Sequence, residues 1–572
     1  MTSQPWPGSL ASRRAKLQRD IAWHYDQISA LKATLNALNP IDTLPNELLS
    51  KIFGFYAFLQ GPPFDLKWTR VMLVCRRWHD IAVVEQVLWS YVEDSFYSPG
   101  YVERVIVQMK RSGAAPLTVR IMSMDESNIY SYFLLQHAER LRDVDVRGDA
   151  VHVIQFMHGL SSHPLSFLRS LSLDPRYKRE EVPGDVVTVF PDAVLDGRAP
   201  GLTELDISHL TINWGLLRGL TKLSLTQTPD TNQSGTHILS VLESSPALTS
   251  LKLGRVLTEQ IVHQPHHAVS LPLLESLWVQ DEVQFCTPLI QHLVIPPTAR
   301  IIIYTLGVQT GSDITHLLVL IRKHIRAPGA STIRWLQLEA HGSPSTPPSH
   351  LRMAAFSSES VPDALAFDDA SLAINAHPTT GLALRQIMSK ILKALPVSTI
   401  THLDCRSASH LSVTSWKYAL ALLPALESIY LFVNNGALQL FGALTELTET
   451  PKTPSAGFPS SLKHIHLLAY VYKLRDDAED FVPSVLEALR RLLDARVAAG
   501  TPFPLLDIDE GGDGLKMSAV EWEALFEKVG KMRKHGYVFD PPAMRRKREE
   551  LVRKMEEIAA KEASEEIAGN DS

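Results

Sequence analysis

Cysteine is scarce in this 572-residue chain: only Cys75, Cys286 and Cys405 occur, far apart in the sequence. They are too few for a disulfide framework or a cysteine-based zinc site, and such usage suits a reducing compartment. A run of about 18 apolar residues is also missing, so no membrane span is expected. The N-terminus lacks the apolar segment of a signal peptide. We therefore expect an intracellular protein, cytoplasmic and/or nuclear, without a membrane partner.

A strong excess of charge of either sign is lacking as well. The formal net charge is −6, charged residues make up 21% of the chain and apolar residues 45%. These values are close to ordinary globular usage, so most of the chain is able to bury a core. They give no global electrostatic reason to bind nucleic acid, and we expect no nucleic-acid partner.

The motifs of common enzyme classes are missing too, among them GxxxxGK[ST], GxGxxG after a strand, HExxH and GxSxG. The histidines within residues 263–267 lack nearby cysteines, so we expect an exposed polar loop there. Residues 507–513 resemble a calcium loop, but Gly511 and Ser518 stand where side-chain ligands are needed, which favours an acidic turn. We expect no enzyme activity, no metal and no cofactor.

An early segment carries apolar residues at alternating spacings of four and three, with His24 as one polar interruption. They are Leu17, Ile21, Ile28, Leu31, Leu35 and Leu38. This heptad pattern predicts a helix over 12–39, which follows a disordered start over 1–11 and ends before Pro40. The stripe can dock on the chain's own domain or pair with another chain as a coiled coil. Docking is favoured because the repeat is short.

Three helical stretches predict a compact all-α unit over 40–95. They read "IDTLPNELLSKIF", "RVMLVCRRWHDIAVV" and "EQVLWSYV". Pro45 suits a first helical turn, and Glu47 suits the positive end of the helix. The first stretch spreads its apolar residues over almost half the helix circumference, which is more than one core requires.

From about residue 140, a hexad of the form apolar-x-x-apolar-x-apolar recurs. Its first residues are Leu141, Leu168, Leu202, Leu220, Leu248, Leu274, Ile290, Ile333, Ile400, Leu426, Leu462 and Phe503. Several intervals of 26 to 28 residues match a leucine-rich unit, and helix-compatible runs precede several hexads. The pattern predicts an α/β solenoid, an irregular leucine-rich-repeat-like array over 96–538. A loop or insertion is predicted at 340–370, and a charged C-terminal helix or tail at 539–572.

The helical unit resembles an F-box, and the arrangement as a whole looks like the F-box proteins of mushroom-forming fungi. The resemblance is carried by "LPNELLSKIF" followed by "VCRRW" and "VLW", and it covers about fifty residues closely. Gln86 departs from it, because a proline is usual at that position. The matching positions are Ile41, Leu44, Pro45, Glu47, Leu48, Leu49, Ile52, Phe53, Val71, Val74, Cys75, Trp78, Ile81, Ala82, Leu88 and Trp89.

The resemblance implies a substrate receptor of an SCF-type cullin–RING ubiquitin ligase. It would bind a Skp-type adaptor through the F-box and an unknown substrate protein through the solenoid. The residues implied for adaptor binding are Leu44, Pro45, Leu48, Leu49, Ile52, Phe53, Val71, Val74, Cys75, Trp78, Leu88 and Trp89. Among them Leu44, Pro45, Leu48 and Val74 are expected on the partner side, whereas Ile52 and Trp78 suit the internal core.

Two other functions stay open at this point. In the first, the chain is a leucine-rich scaffold whose F-box-like unit only caps the solenoid, since solenoid ends need covering. In the second, an enzyme site is assembled across several repeats. The lack of clustered Cys, His and Asp at a recognisable spacing argues against an enzyme.

Overall fold

The fold is described from a computed structural model, which splits into two compact units, Met1–Leu217 (unit 1) and Arg218–Ser572 (unit 2). Each unit is described by itself. The described residues are 8–59, 61–94, 101–124, 134–176, 189–227, 234–257, 268–308, 310–341, 350–357, 369–377, 381–409, 411–449, 461–468, 478–509, 519–534 and 537–538.

Unit 1 begins with helices, as predicted for the F-box-like unit, but the all-α prediction for residues 40–95 is wrong for Tyr91–Asp94, which form a strand. Short 3-10 turns at Pro40–Thr43 and Lys67–Leu73 connect the helices. The helices are α1 (Gly8–Ala37), α2 (Asn46–Phe58), α3 (Arg76–Val84) and α4 (Gln86–Trp89). Residues 8–11 are helical, so the prediction of disorder is wrong for them. The start of the chain before residue 8 lies outside the described residues.

Helix α1 leaves its heptad stripe uncovered. The six apolar residues of the stripe are between 47% and 77% exposed. The favoured expectation that this stripe docks on the chain's own domain is therefore wrong.

The rest of the described part of unit 1 is a parallel sheet with two longer helices, α5 (Tyr101–Arg111) and α6 (Ala150–Leu160), and with short helical turns such as Trp214–Leu216. Each strand pairs in parallel with the next one along the chain. The Asp149 side chain accepts a hydrogen bond from Val151 N and caps the start of α6. The strands are β1 (Tyr91–Asp94), β2 (Leu117–Met124), β3 (Leu141–Asp149), β4 (Ser170–Arg176) and β5 (Glu204–Ser208).

Unit 2 contains a second, larger set of strands, and most of its pairings are parallel. They are β6 (Lys222–Thr226), β7 (Ser250–Gly254), β8 (Val269–Ser270), β9 (Ser276–Glu282), β10 (Leu293–Val294), β11 (Arg300–Leu306), β12 (Trp335–His341), β13 (His350–Phe356), β14 (Leu372–Ala376), β15 (His402–Asp404), β16 (Ser428–Phe432), β17 (His464–Leu468), β18 (Leu505–Asp509), β19 (Met532–Lys534) and β20 (Tyr537–Val538).

The strand order in unit 2 follows the chain except at one place. The order runs β6, β7, β9, β11, β14, β13, β12, β15, β16, β17, β18, β19, β20. Strand β13 is antiparallel to both β12 and β14. Strands β8 and β10 form a separate parallel pair.

Helices connect many of these strands and contact one another in succession from α8 to α13. They are α7 (Ser234–Glu243), α8 (Val283–His292), α9 (Thr315–Ile325), α10 (Gly381–Ala394), α11 (Val413–Ala421), α12 (Asn435–Glu449), α13 (Ala478–Ala498) and α14 (Ala519–Phe526). The helix-compatible runs that precede the hexads at Leu248, Ile333, Ile400 and Phe503 coincide with α7, α9, α10 and α13. The prediction of helices at these places is confirmed. None of the helices in the described part of the chain is long and apolar enough to cross a membrane.

Ten of the hexads place their last two apolar residues on a strand of a sheet with parallel pairing, and these residues are buried. In the hexad at Ile400, Leu403 lies on β15 and Cys405 is buried just after the end of that strand. The hexad at Ile290 is the exception, because Ile290 lies in α8 and Leu293 belongs to the two-residue strand β10. The strand that follows, β11, reads "RIIIYTL" and lacks the hexad. Three consecutive isoleucines stand there in place of alternating apolar and polar residues. Ile302, which points away from the hexad layer, is also buried, because it packs in an apolar cluster with Ala354, Phe356 and Ala373.

The predicted loop at 340–370 is wrong for residues 350–356, which form β13 in the middle of the unit 2 sheet. This strand is rich in buried alanine, a residue with modest strand propensity, so local sequence gives a weak signal. Asp507 and Asp509 lie on β18 rather than in an acidic turn. The charged segment over 539–572 and the histidines at 263–267 lie outside the described residues.

Unit 2 is predicted to lose stability in acid through His464. Burial lowers the pKa of His464 to about 4, against 6.5 for the ordinary side chain. The unfolded chain therefore binds a proton more readily than the folded chain, and stability is lost as pH falls from about 6.5 to 4. We expect the protection factors of the β16 and β17 amides, which correct for the slower intrinsic exchange in acid, to fall over this window. His464→Phe keeps a ring and removes the titration, so its protection factors should fall less. An equal response of both proteins would contradict the assignment.

Candidate protein-interaction site

The helical unit of residues 40–95 has a complete apolar core of its own. Leu49 and Phe53 from α2 pack with Trp68, Val71 and Trp89 from the segments that follow. The rings of Trp68 and Trp89 meet edge-on with centroids 4.9 Å apart. Ile81, Ala82 and Leu88 complete this core. The unit therefore does not need its remaining apolar residues to fold.

Arg77 fixes the segment that leads into α2. Its guanidinium donates to the backbone carbonyls of Asp42 and Leu44, the latter at 2.5 Å. It also donates to Asn46 Oδ1, at 2.8 Å from Nη2 and 3.0 Å from Nε. A planar fork of five donors suits such a set of acceptors. The result is a fixed backbone at Leu44 and Pro45, in front of the helix.

Cys75 begins the next helix. Its Sγ accepts a hydrogen bond from Trp78 N at 3.5 Å, so it caps α3 with a side chain that rarely takes this role. The Trp78 ring then packs on Phe53, with ring centroids 5.0 Å apart. Cys75 and Trp78 thus connect α3 to α2.

The structure separates the twelve predicted adaptor-binding residues into three groups. Buried in the unit's own core are Leu49, Phe53, Val71, Leu88 and Trp89. Half-buried at its edge are Leu44, Cys75 and Trp78. Exposed are Pro45, Leu48, Ile52 and Val74. The expectation that Ile52 is internal is wrong, because its side chain is 39% exposed.

The exposed residues Pro45, Leu48 and Ile52 belong to an apolar stripe that is longer than the one predicted from the sequence. Pro45, Leu48, Ile52, Phe55, Tyr56 and Leu59 follow one another at helical spacing and are all exposed. At 100° per residue they fall within an arc of about 100°, next to the side that carries Leu49 and Phe53. Phe55 and Leu59 were missed, although the same spacing continued through them.

A second exposed apolar pair stands just before α3. Leu73 is 86% exposed and its neighbour Val74 is also exposed. Only Val74 was predicted, because the match with the family pattern passes over Leu73. We call the six residues on α2 and at its two ends, together with Leu73 and Val74, the exposed apolar surface. Contiguous apolar side chains left in water on a folded unit are typical of a protein-binding surface.

Unit 2 offers a different kind of surface on its sheet. The strand register aligns Gln337, Asp404, Tyr430, His466 and Asp507 in one row across five strands. A neighbouring row carries Trp335, His402, Ser428 and His464. We call these two rows the polar sheet face. The alternate positions of the same strands carry the buried hexad residues.

Aromatic and imidazole rings form the middle of the polar sheet face. Trp335 and His402 stack with ring centroids 4.2 Å apart, and Trp335 lies 5.1 Å from Tyr430. Tyr430 in turn meets the His466 ring edge-on at 5.2 Å. Trp335 and Tyr430 are buried by these neighbours, whereas the three histidines are half-buried. A partner at this face would therefore contact mainly imidazoles.

Burial lowers the pKa of each histidine in this face, namely His402, His464 and His466. For His466, the carboxylates of Asp507 and Asp509 act in the opposite direction. All three imidazoles are therefore expected to be neutral at pH 7, where each ring offers one donor and one acceptor.

The carboxylates of the face differ in their surroundings. Arg406 donates two hydrogen bonds to the buried Asp404, at 2.9 Å and 2.7 Å, and this pairing raises the pKa of Arg406. Asp507 Oδ1 and Gln337 Oε1 are buried without a hydrogen-bond partner among the described residues. The described residues also contain no group of three or more His, Cys, Asp or Glu side chains that could hold a metal ion. The face presents hydrogen-bond donors, acceptors and aromatic rings to its surroundings.

The division of α2 into a buried side and an exposed side yields a matched pair of substitutions. Leu49→Ala leaves a cavity in the core and is expected to cost about 2–5 kcal/mol. Leu48→Ala removes an exposed side chain and should change stability by less than about 0.5 kcal/mol. Native-state hydrogen exchange of the α2 and α3 amides measures both effects locally. Equal effects of the two substitutions would contradict the observed burial.

Comparison with known families supports the sequence resemblance over this unit. Residues 41–93 match the model of the F-box-like family. No curated protein matches the chain. The match covers the core, the Arg77 contacts and the exposed apolar surface. The chain thus carries an F-box-like domain, followed by a large, mostly parallel sheet with helices.

Proposed function

We propose that this protein is a substrate-receptor subunit of an SCF-type cullin–RING ubiquitin ligase. The observation that carries the proposal is an F-box-like domain whose core is complete while the adjacent side of α2 stays apolar and exposed. F-box domains typically bind Skp-type adaptors. Through such an adaptor the chain would reach the cullin–RING scaffold.

The exposed apolar surface is the proposed contact with the adaptor. Apolar anchors at the centre of an interface commonly cost about 2 kcal/mol or more when truncated. An interface of about 1,600 Å² suffices for a stable complex. The buried members of the predicted set, such as Leu49 and Trp89, would act indirectly by holding the exposed residues in place. Arg77 would do the same for Leu44 and Pro45.

The exposure of this surface also supports the receptor over a structural cap. A cap would use the apolar side of α2 to cover the end of a solenoid. Leu48, Ile52 and Val74 are instead exposed in the whole chain. An outside protein is therefore the better candidate to cover them.

The strand-and-helix region is proposed to be an irregular leucine-rich-repeat-like solenoid that binds the substrate protein. The support is the run of hexads on consecutive parallel strands, with helices between them. The receptor would need no catalytic residue or cofactor, since tethering raises the effective concentration of the substrate near the ubiquitin-carrying enzyme. Such a role fits a cytoplasmic and/or nuclear protein.

Within unit 2, the polar sheet face is the proposed substrate contact. Its half-buried imidazoles provide donors and acceptors, and the rings of Trp335 and Tyr430 pack against them on the same face. Solenoids typically bind partners through the face formed by their strands. On the other side of the sheet the residues are mainly hexad residues, which are buried and therefore cannot contact a partner.

Adaptor binding is predicted to depend on the exposed apolar surface. Leu48→Asp combined with Val74→Asp should abolish co-purification with a Skp-type adaptor, because two charges would be buried against an apolar partner. The matched control combines Lys51→Asp on α2 with His79→Asp on α3, and both positions are also exposed. The control should keep the adaptor. Retention of the adaptor by Leu48→Asp/Val74→Asp would remove the main support for the proposal.

Substrate binding and adaptor binding are predicted to depend on different residues, so that each can be lost without the other. His402→Ala combined with His466→Ala should lose the substrate protein and keep the adaptor, whereas Leu48→Asp/Val74→Asp should show the opposite pattern. Exposed Tyr418 on α11 provides the control substitution, Tyr418→Ala, which should keep both. Quantitative affinity capture compares the three proteins. A substrate that is bound equally by all three would place recognition away from the polar sheet face.

A further inference from the structure

Helix α1 carries an apolar surface that neither the F-box-like domain nor the proposed ligase role uses. Its heptad stripe (Leu17, Ile21, His24, Ile28, Leu31, Leu35 and Leu38) is exposed along its whole length. Leu38 follows the end of α1, and from Leu17 to Leu35 the helix rises about 27 Å. We call this stripe the heptad seam.

The heptad seam does not pack on the F-box-like domain, because a different side of α1 faces that domain. Ser29, Lys32 and Asn36 line a cavity of about 310 Å³ together with Val74 and Arg77 of the F-box-like domain. Ser29 and Asn36 are half-buried, and none of the three belongs to the seam. A polar row of α1 therefore faces the domain, while the seam points elsewhere.

The spacing of the seam limits what can cover it. A repeat of 3.5 residues keeps its apolar side toward a partner only when that partner is a helix with the same repeat. Every copy of this chain supplies one such helix. A second copy is therefore the occupant for which the sequence itself provides a matching surface.

The charges of α1 favour one orientation of the pair. Arg13, Arg14, Lys16 and Arg19 lie at its start, and only Lys32 is basic in its second half. A parallel pair would place the two basic clusters side by side. An antiparallel pair separates them by roughly the length of the seam, well beyond a Debye length of about 8 Å.

We propose that α1 pairs with α1 of a second copy as an antiparallel coiled coil, which makes this protein a homodimer. His24 is then a polar residue within the seam, and such residues lower the stability of the pair while they restrict its register. The dimer would present two F-box-like domains and two polar sheet faces in one particle. The proposal does not depend on the ligase role.

Sedimentation velocity of the full chain over a range of concentrations tests the proposal. The wild-type protein is expected at twice the chain mass, and Ile28→Asp/Leu31→Asp at the chain mass with at least a hundredfold weaker association. The control, Trp23→Asp/Ala30→Asp, adds the same charge to exposed positions outside the seam and should remain dimeric. His24→Leu should tighten association about tenfold. Unchanged circular dichroism of the diluted variants shows that each chain still folds.

Two results would overturn the dimer. One is a wild-type protein that stays monomeric at every concentration, which would leave the seam to a helix of another protein. The other is an Ile28→Asp/Leu31→Asp variant that stays dimeric, which would place the contact elsewhere.

Orientation is tested by cross-linking with a short bis-maleimide, with the wild-type protein as the background for the native cysteines. Ile21→Cys protein mixed with Leu35→Cys protein should give the mixed cross-linked dimer in excess over Ile21→Cys alone. Efficient cross-linking of Ile21→Cys alone would instead show parallel helices and overturn the antiparallel arrangement.

Discussion

The register of the parallel strands is the constraint on which most of this structure depends. Because side chains alternate along a strand, aligned strands place their hexad residues in one apolar layer and everything between them on the other face. In β15 to β18 this alignment buries Leu403, Ile429, Ile465 and Leu506. The same alignment brings Tyr430, His466 and Asp507 together. The core and the candidate recognition face are thus two consequences of one register.

In the F-box-like domain, one helix contributes both to the core and to the exposed apolar surface. Helix α2 buries Leu49 and Phe53 on one side and leaves Leu48 and Ile52 in water on the adjacent side. Such a helix is stable because the buried side alone closes the core, with Trp89 beneath it. The exposed side costs some solubility, which is acceptable when a partner covers it. Helix α1 is divided in a similar way, since its polar row faces the domain and its heptad seam stays exposed.

Sequence patterns predicted the regular parts of the fold well and the irregular parts poorly. Four helices between hexads and eleven hexad strands were predicted from periodicity, because burial on one side imposes that periodicity. The hexad at Ile290 failed because a helix there also spaces its apolar residues by three. Strand β13 was missed because its burial comes from both faces of the sheet, which removes alternation. In the F-box-like domain, the family pattern identified Leu48 and Val74 but not Leu73 or Phe55.

By itself the sequence determined the local elements: a heptad helix, an F-box-like set of helices and a series of leucine-containing strands. Local propensity and periodicity suffice for these, because each depends on residues close together in the chain. Only the tertiary structure decided which apolar residues are shared with the core and which remain in water. Ile52 and Leu49 carry the same kind of side chain three residues apart, and packing alone assigns one to the surface and the other to the interior. The meeting of Trp335, His402, Tyr430 and His466 was decided in the same way, since pairing between strands far apart in sequence brings them together.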